Sequence, residues 1–325
     1  MYILVMTATE SHQISRGVGI LIPTRNRPDK VLKLLDSLAG SSVKPTQVVI
    51  VSSGSDISHV VSEFVSKLTI RYLHTDVSGQ ANQKKLGCRL LDEDLEWVVF
   101  LDDDLVVSTS CIQTAIQEAE SFENDSKLRV LGVGLALPPT TRVTKENGFT
   151  KLLGEIFGIS NSIPGAVFKN GHAASYLECK EVTSTQWLNG ASMWRRELVT
   201  NYGKNLISTK YAACEDLIFS YPLNLKGKLI YVPAARVDFQ DDELTNFENF
   251  SVFKTAALWR LYFVSTNPGF SLPFFLFTQL GRNLFGAFKT KESPLKFFLN
   301  ASALWVELLY LSSRKSRIEN TLRNL

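Results

Sequence analysis

The chain is 325 residues long, 45% hydrophobic and 21% charged, with a formal net charge of +3. These values fit a globular protein of one large domain or two smaller ones; they exclude a disordered chain, and the charge is too small to point to nucleic acid. Four dispersed cysteines (Cys88, Cys111, Cys179, Cys214) without a CxxC pair fit reduced thiols of a cytosolic protein, and four scattered histidines give no zinc pattern.

The opening run MYILVMTA has a short apolar stretch and no basic flank, so it reads as neither a signal peptide nor a membrane span, and residues 1–16 read as a tail. Residues 18–23 (VGILIP) form a continuous apolar run suited to a buried parallel strand. Val31, Leu34, Leu35 and Leu38 then fall on one helical face, closed by Gly40. The alternation continues with a strand at 47–52, a polar helix at 55–67, a strand at 69–74 and a helix at 80–91. A strand at 95–102, a helix at 110–122 and a strand at 130–137 complete it. Strand–helix alternation at this spacing predicts an α/β fold with a mostly parallel central sheet and helices on both faces; the ligand site lies off the carboxyl ends of the strands.

Beyond Pro138 and Pro139 the pattern breaks, and residues 140–190 read as loop-rich. A helix broken near Pro222 and a strand at 228–233 follow. From about residue 246 the chain reads as helical and aromatic, notably over 270–288 and 295–311. From Gly281 onward the chain turns basic, with eight Lys and Arg opposing three Glu for a local net charge of +5. Neither aromatic stretch reads as a membrane span, since Arg282 and Pro273 interrupt the first and Glu307 the second. They fit either helices lying in a membrane interface or an ordinary packed extension.

Several polar segments sit at the predicted strand ends. PTRNRP (23–28) offers two guanidinium forks, which match phosphate oxygens, although a solvated loop reads the same way. SSGS (52–55) is a tight polar turn. In GQANQKKLG (79–87) Gln83, Lys84 and Lys85 place donors near a helix start, where an anion is favoured. LDDD (101–104) places Asp102 and Asp104 at D-x-D spacing. Carboxylates this close repel one another unless a cation lies between them, and oxygen ligands beside a phosphate suit Mg²⁺ or Mn²⁺; capping of the next helix is the plainer alternative. Trp187 and Trp194 suit either sugar stacking or core packing. Glu215 and Asp216, alone, read as an acidic pair at a helix start.

In this order the segments resemble the family 2 glycosyltransferases of the GT-A fold, over about residues 17–240. The IPT-x-N-R turn is Ile22–Arg27 in sequence, followed by SSGS in place of the family's D-D-G-S turn after strand two, GQANQKKLG for its G-x-x-x-Q-R-N-x-G helix start, L-D-x-D, an acceptor loop in WLNGASMWRREL (187–198) and the E-D helix. The resemblance implies a GT-A (Rossmann-like, nucleotide-diphospho-sugar transferase) domain at 17–240, with a C-terminal helical extension at 241–325. It implies a divalent cation, Mg or Mn, and an inverting transfer from a nucleotide-diphosphate sugar to an acceptor hydroxyl, in cell-surface polysaccharide or glycolipid assembly. Pro23, Thr24, Arg27, Ser52, Gln83, Lys84, Asp102 and Asp103 would meet the donor. Trp187, Asn189, Gly190 and Glu215 would meet a glycan or lipid-linked acceptor, and Asp216 would be the general base. Asp102 and Asp104, with Asp238 where many members place a His, would hold the metal. Ser52 and Ser53 stand where the family has an Asp that often reads uridine, and Lys85 where it usually has Asn. The implied location is cytoplasmic, peripheral on the inner membrane face if the extension touches lipid.

Two other readings of the same residues remain. Asp102-x-Asp104-x-Val106 fits the D-x-D-x-[TV] motif of haloacid-dehalogenase-type phosphohydrolases, with Asp102 as nucleophile. A non-catalytic sugar-binding protein on the same fold is the other.

Overall fold

The computed structural model describes residues 2–6, 17–138, 152, 154–159, 163–240, 250–289 and 293–324. The chain divides into two units. The first comprises residues 1–139, 176–206 and 219–242; the second comprises 140–175, 207–218 and 243–325.

In the first unit the elements run β1 (Tyr2–Met6), β2 (Val18–Arg25), α1 (Pro28–Ala39), β3 (Gln47–Ser53), α2 (Ser58–Ser62), β4 (Ile70–Thr75) and α3 (Gln80–Gly87). They continue with β5 (Trp97–Phe100), β6 (Leu105–Val107), α4 (Cys111–Ser126), β7 (Val130–Ala136), β8 (Thr183–Thr185), β9 (Ser192–Arg195), α5 (Arg196–Val199) and β10 (Lys228–Phe239). Helix α6 (Glu215–Asn224) begins in the second unit and ends in the first. The sheet order is β1-β4-β3-β2-β5-β9-β7-β10-β6, with β8 on β10. Strands β4, β3, β2 and β5 are parallel neighbours, as are β7 and β10. Strand β9 runs antiparallel to both β5 and β7, which therefore point the same way. The carboxyl ends of β4, β3, β2, β5, β7 and β10 thus lie on one edge, where the polar segments begin.

Period-two alternation sorts the strand residues into two layers. Ile20, Ile22, Val48, Ile50 and Val99 face one core with Val31, Leu34 and Leu38 of α1. Leu21, Val49, Val51, Val98 and Phe100 face the other, with Trp194 and Tyr231. Strands apolar on both faces require covering on both, which is why they read as unbroken hydrophobic runs. Helix α3 lies close on the second layer because Gly87 has no side chain: a Cβ there would stand 2.2 Å from Leu21 Cδ1. Trp194 is 1% exposed and donates its indole N–H to Ser192, so of its two expected fates it takes core packing. Arg195 and Arg196 are also buried. Arg195 bonds Glu96 and Glu123 and stacks 3.9 Å over Trp97; Arg196 donates to the carbonyls of Leu91 and Asp92.

Several elements differ from the expectation. Thr183–Thr185, in the stretch expected to be loop-rich, pairs with β10, and Ser192–Arg195, inside the expected acceptor loop, is a buried strand between β5 and β7. Tyr2–Met6, within the expected tail, pairs antiparallel with β4. Leu105–Val107 forms a short strand antiparallel to the end of β10. Strand β10 continues past Pro233 because its pairing with β7 shifts register between Val232 and Arg236, and such an irregularity accommodates a residue lacking an N–H. Of the free thiols, Cys88 and Cys111 are buried, and burial pushes both up to about 12; Cys179 and Cys214 are partly exposed.

The second unit contains α7 (Phe250–Thr266), α8 (Leu272–Lys289), α9 (Pro294–Ser312) and α10 (Lys315–Arg323). Lys254 of α7 pairs with Glu307 of α9 at 2.8 Å, which accounts for the acid in the middle of that apolar helix. No helix among the described residues is long and apolar enough to cross a membrane.

The close approach of α3 yields a stability test. Gly87→Ala is expected to lower the free energy of urea unfolding by about 1–3 kcal/mol through overpacking against Leu21. Gly40→Ala, at the exposed end of α1, should stay within about 0.5 kcal/mol.

Candidate active site

The first turn after β2 is shaped by Asn26, whose φ of +56° is unusual for a side-chain-bearing residue. Its Oδ1 accepts the Ser55 N–H at 2.7 Å, across Gly54, where a Cβ would lie 2.1 Å from the same oxygen. The loops after β2 and β3 are thereby held together. Helix α3 closes the floor beneath them. Gln83 is 3% exposed, and its Nε2 donates to the carbonyls of Thr24 (2.6 Å) and Val51 (2.9 Å), near the ends of β2 and β3.

The three consecutive acids have three different surroundings. Asp103 points inward: Thr24 Oγ1 donates to it at 2.7 Å and Arg27 Nη1 at 2.9 Å. Burial still raises its pKa, with those two bonds opposing the rise. The same contact raises the pKa of Arg27. Asp102 is partly exposed; Gln80 donates to it, and Lys84 Nζ lies 3.7 Å away while being fully buried itself. Asp104 is partly exposed too, 3.6 Å from Arg27, and its pKa is raised by burial and then by the charges of Asp102 and Asp103. Gln240, just after β10, ties the segment down: Nε2 faces the carbonyls of Lys30, Asp103 and Leu105, and its N–H donates to Asp104 O.

The structure therefore brings Pro23, Thr24, Arg27, Gln83, Lys84, Asp102, Asp103 and Asp104 to one set of strand ends. Arg27, Asp102 and Asp104 present surface there. Thr24, Gln83 and Asp103 are buried and bonded to protein. Ser52 is 1% exposed; its hydroxyl shares hydrogen bonds with the Tyr72 hydroxyl (2.7 Å) and His74 Nδ1 (3.0 Å). Tyr72 in turn donates to Asp56 at 2.8 Å, and burial pushes its phenol up to about 12. Asp238 is exposed, opposite Val106, and lines a cavity of about 850 Å³ with Arg236, Lys180, Cys179 and Tyr231.

A hard divalent cation fits Asp102 and Asp104: both are oxygen donors, and Asp104 sits in an excess of negative charge that a cation would relieve. Among the described residues no three metal-ligating side chains gather. A cation held here would take one or two carboxylates, with phosphate and water oxygens completing its shell, as Mg²⁺ commonly does.

The acceptor segment divides. Trp187 stacks on Tyr176 with ring centroids 5.3 Å apart, and the Asn189 N–H donates to the Tyr176 hydroxyl at 2.7 Å. The Asn189 amide oxygen and nitrogen are buried and have no hydrogen-bond partner among the described residues, and Gly190 beside it is partly exposed. Glu215, 6% exposed, and Asp216, partly exposed, form the first turn of α6 in the second unit.

Three residues escape the sequence reading, Asp56, Gln80 and Gln240, and a fourth, Asn26, is read as part of the IPT-x-N-R turn but without its bracing role. Asn in a turn is a signal for a left-handed backbone, and Asp56 lies four residues beyond the position where an acid is expected. Nothing local marks Gln80 or Gln240, whose partners are distant in sequence.

Residues 19–154 match the family model described as Glycosyl transferase family 2. No curated protein matches the chain. Among solved structures, S. aureus TarS 1–349 in complex with UDP-GlcNAc is 15% identical, with 95% of this chain and 92% of that one covered at a TM-score of 0.55. GalNAc-T7 with UDP, GalNAc and Mn²⁺ is 12% identical, with 82% and 54% covered at 0.51. At these identities the likeness is one of fold.

The contrast between neighbouring acids is testable by unfolding. Asp103→Asn removes the charge from two bonded partners and should cost about 1.5–3 kcal/mol. Asp104→Asn removes a repelled charge and should leave Tm unchanged or raised.

Proposed function

Since the chain carries a glycosyl transferase family 2 region on a GT-A fold, we propose that it is an inverting glycosyltransferase, moving a sugar from a nucleotide-diphosphate donor to an acceptor hydroxyl. The observation that carries this reading is the set Arg27, Lys84, Asp102 and Asp104 at the carboxyl ends of β2 and β5, braced from beneath by Gln83 and Asp103. Both signs of charge stand there on a rigid floor, which suits a diphosphate accompanied by a cation.

In this reading Arg27 faces the diphosphate, Lys84 balances the charge of Asp102 from beneath, and Asp102 and Asp104 hold the cation. Bound there, Mg²⁺ or Mn²⁺ would offset charge on the departing nucleoside diphosphate. Pro23, Thr24, Gln83 and Asp103 position these groups. The loop holding Ser52, Ser53 and Asp56 is assigned to the nucleotide base, and Asp238 to the cation. Asp216 acts as general base, withdrawing the proton from the acceptor hydroxyl as its oxygen attacks the anomeric carbon. A single displacement inverts that centre. Trp187, Asn189, Gly190 and Glu215 are assigned to the acceptor; the unpartnered Asn189 amide supports this, because a buried amide without partners gains most from a hydroxyl ligand.

Peripheral contact with an anionic membrane also belongs to this reading. Helix α8 exposes Phe277, Leu280 and Leu284, and α9 exposes Leu299, Val306 and Tyr310, each set at helical spacing. Lys296, Arg314 and Lys315 are exposed nearby in sequence, and apolar faces with basic neighbours match anionic headgroups over an acyl layer. A lipid-linked acceptor in surface polysaccharide or glycolipid assembly would meet the enzyme there.

Two measurements test these assignments. With Mn²⁺ and a panel of nucleotide sugars, the protein should release nucleoside diphosphate and not inorganic phosphate. Asp216→Asn should cut turnover by about 10²–10⁴-fold while donor binding persists; turnover unchanged by that substitution would defeat the base assignment. In co-sedimentation, the protein should pellet with phosphatidylglycerol-containing vesicles and not with phosphatidylcholine alone, and Leu299→Asp with Val306→Asp should abolish pelleting. Concentration-dependent dimerisation without vesicle binding would overturn the membrane contact.

A further inference from the structure

The second unit contains a cluster of positive groups that the transfer reading leaves unused. Residues 167–173 fold back on themselves through a bridge between Val167 and Ala173, with the Phe168 N–H on His172 O at 2.8 Å. Gly171 makes the turn possible: its φ is +76°, and a Cβ would stand 2.4 Å from Val264 Cγ2 of α7. That approach sets Arg260 of α7 against the turn, with Nη1 donating to Gly171 O at 2.9 Å and Nη2 to Cys214 Sγ at 3.3 Å. Arg282 lies on α8, its guanidinium 5.9 Å from the ring centroid of Phe253 on α7.

Among the described residues neither guanidinium has a carboxylate partner, and Arg282 has no hydrogen-bond acceptor either. His172 is 7% exposed and its Nε2 has no partner among them. The other buried polar groups nearby satisfy one another: Asn170 with Thr278 and Gly158 O, and Gln279 with Asn283. The charges sense each other. Burial and then Arg260 lower Arg282 to about 10, and burial followed by both arginines pushes His172 well below its usual value. Both arginines are partly buried, and Cys214 Sγ is the one acidic group set against them among the described residues, so an anion would relieve the remaining repulsion. Arg260 is anchored on Gly171 O and Cys214 Sγ, while the Arg282 guanidinium and His172 Nε2 lack acceptors among the described residues; the three lie close enough to shift one another's charge, and free donors of this kind suit the oxygens of a tetrahedral phosphate.

We propose that Arg260, Arg282 and His172 form a phosphate-binding site in the second unit, for a phosphate ester or a diphosphate. The site consists of these residues alone and stands whether or not the transfer reading holds. Its ligand has two sources: the diphosphate of a nucleotide, or a phosphate carried by the acceptor.

The test uses the full chain, free of divalent metal and at constant ionic strength. Inorganic phosphate and pyrophosphate are titrated by thermal unfolding and calorimetry. Wild type and Asp102→Asn should show the same dose-dependent rise in Tm. Arg282→Met should lose the rise, with affinity weakened about tenfold or more, and should begin from a Tm no lower than wild type because an unpaired cation has gone. If Arg282→Met does not fold, Arg260→Gln is read in the same way. Displacement of bound phosphate by glycerol phosphate and not by a nucleoside diphosphate assigns the site to an acceptor phosphate; the reverse assigns it to the donor. No rise with either anion, or an equal rise in the arginine variants, overturns the proposal. A rise lost in Asp102→Asn but kept in Arg282→Met overturns it as well, because the anion then binds at the β-strand ends.

Discussion

The buried carboxylate of Asp103 gathers separate strand ends around one point. It accepts from Thr24 at the end of β2 and from Arg27 beyond it, while its main-chain oxygen faces the side-chain amide of Gln240 just after β10. Withdrawing it would release Arg27, leave Thr24 without its acceptor and loosen the turn that carries Asp102 and Asp104. Its neighbours can present their charges outward because Asp103 takes the inward position and is compensated there. A buried carboxylate tolerates that position only with charged and hydroxyl donors on it, and Arg27 and Thr24 supply both.

The same division of labour explains what the sequence makes legible. Strands β2, β3 and β5 are plain because burial on both faces writes unbroken apolar runs into residues 18–22, 47–51 and 97–100. Helix α1 is equally plain, with Pro28 in its first turn and Val31, Leu34, Leu35 and Leu38 on one face. Strand β6 is hidden, since three residues after a triple Asp are too few to show a period. The end of β10 is hidden by Pro233, which reads as a stop until the register shift is seen.

At the site, polar residue types are legible but their direction is not. Ser52, Gln83 and Asp103 each occupy a position where a ligand contact is the natural expectation, and each turns into the protein. Their partners are supplied by other elements: Tyr72 for Ser52, Val51 for Gln83, and Thr24, 79 residues away, for Asp103. Hydrogen bonds at such separation leave no local trace. Burial of Arg195 and Arg196 is concealed for the same reason, because Glu96 and Glu123 come from opposite ends of the β5–α4 stretch.

The distribution of the four thiols has a practical consequence for observing this molecule. Cys88 and Cys111 are sealed in the core, their thiolates suppressed, so alkylating reagents will pass them by while the fold is intact. Cys179 and Cys214 are accessible in part, and they fall one in each unit. Maleimide dyes added to the unaltered protein would therefore mark one position per unit, and energy transfer between the two labels would report their separation in solution with and without ligand.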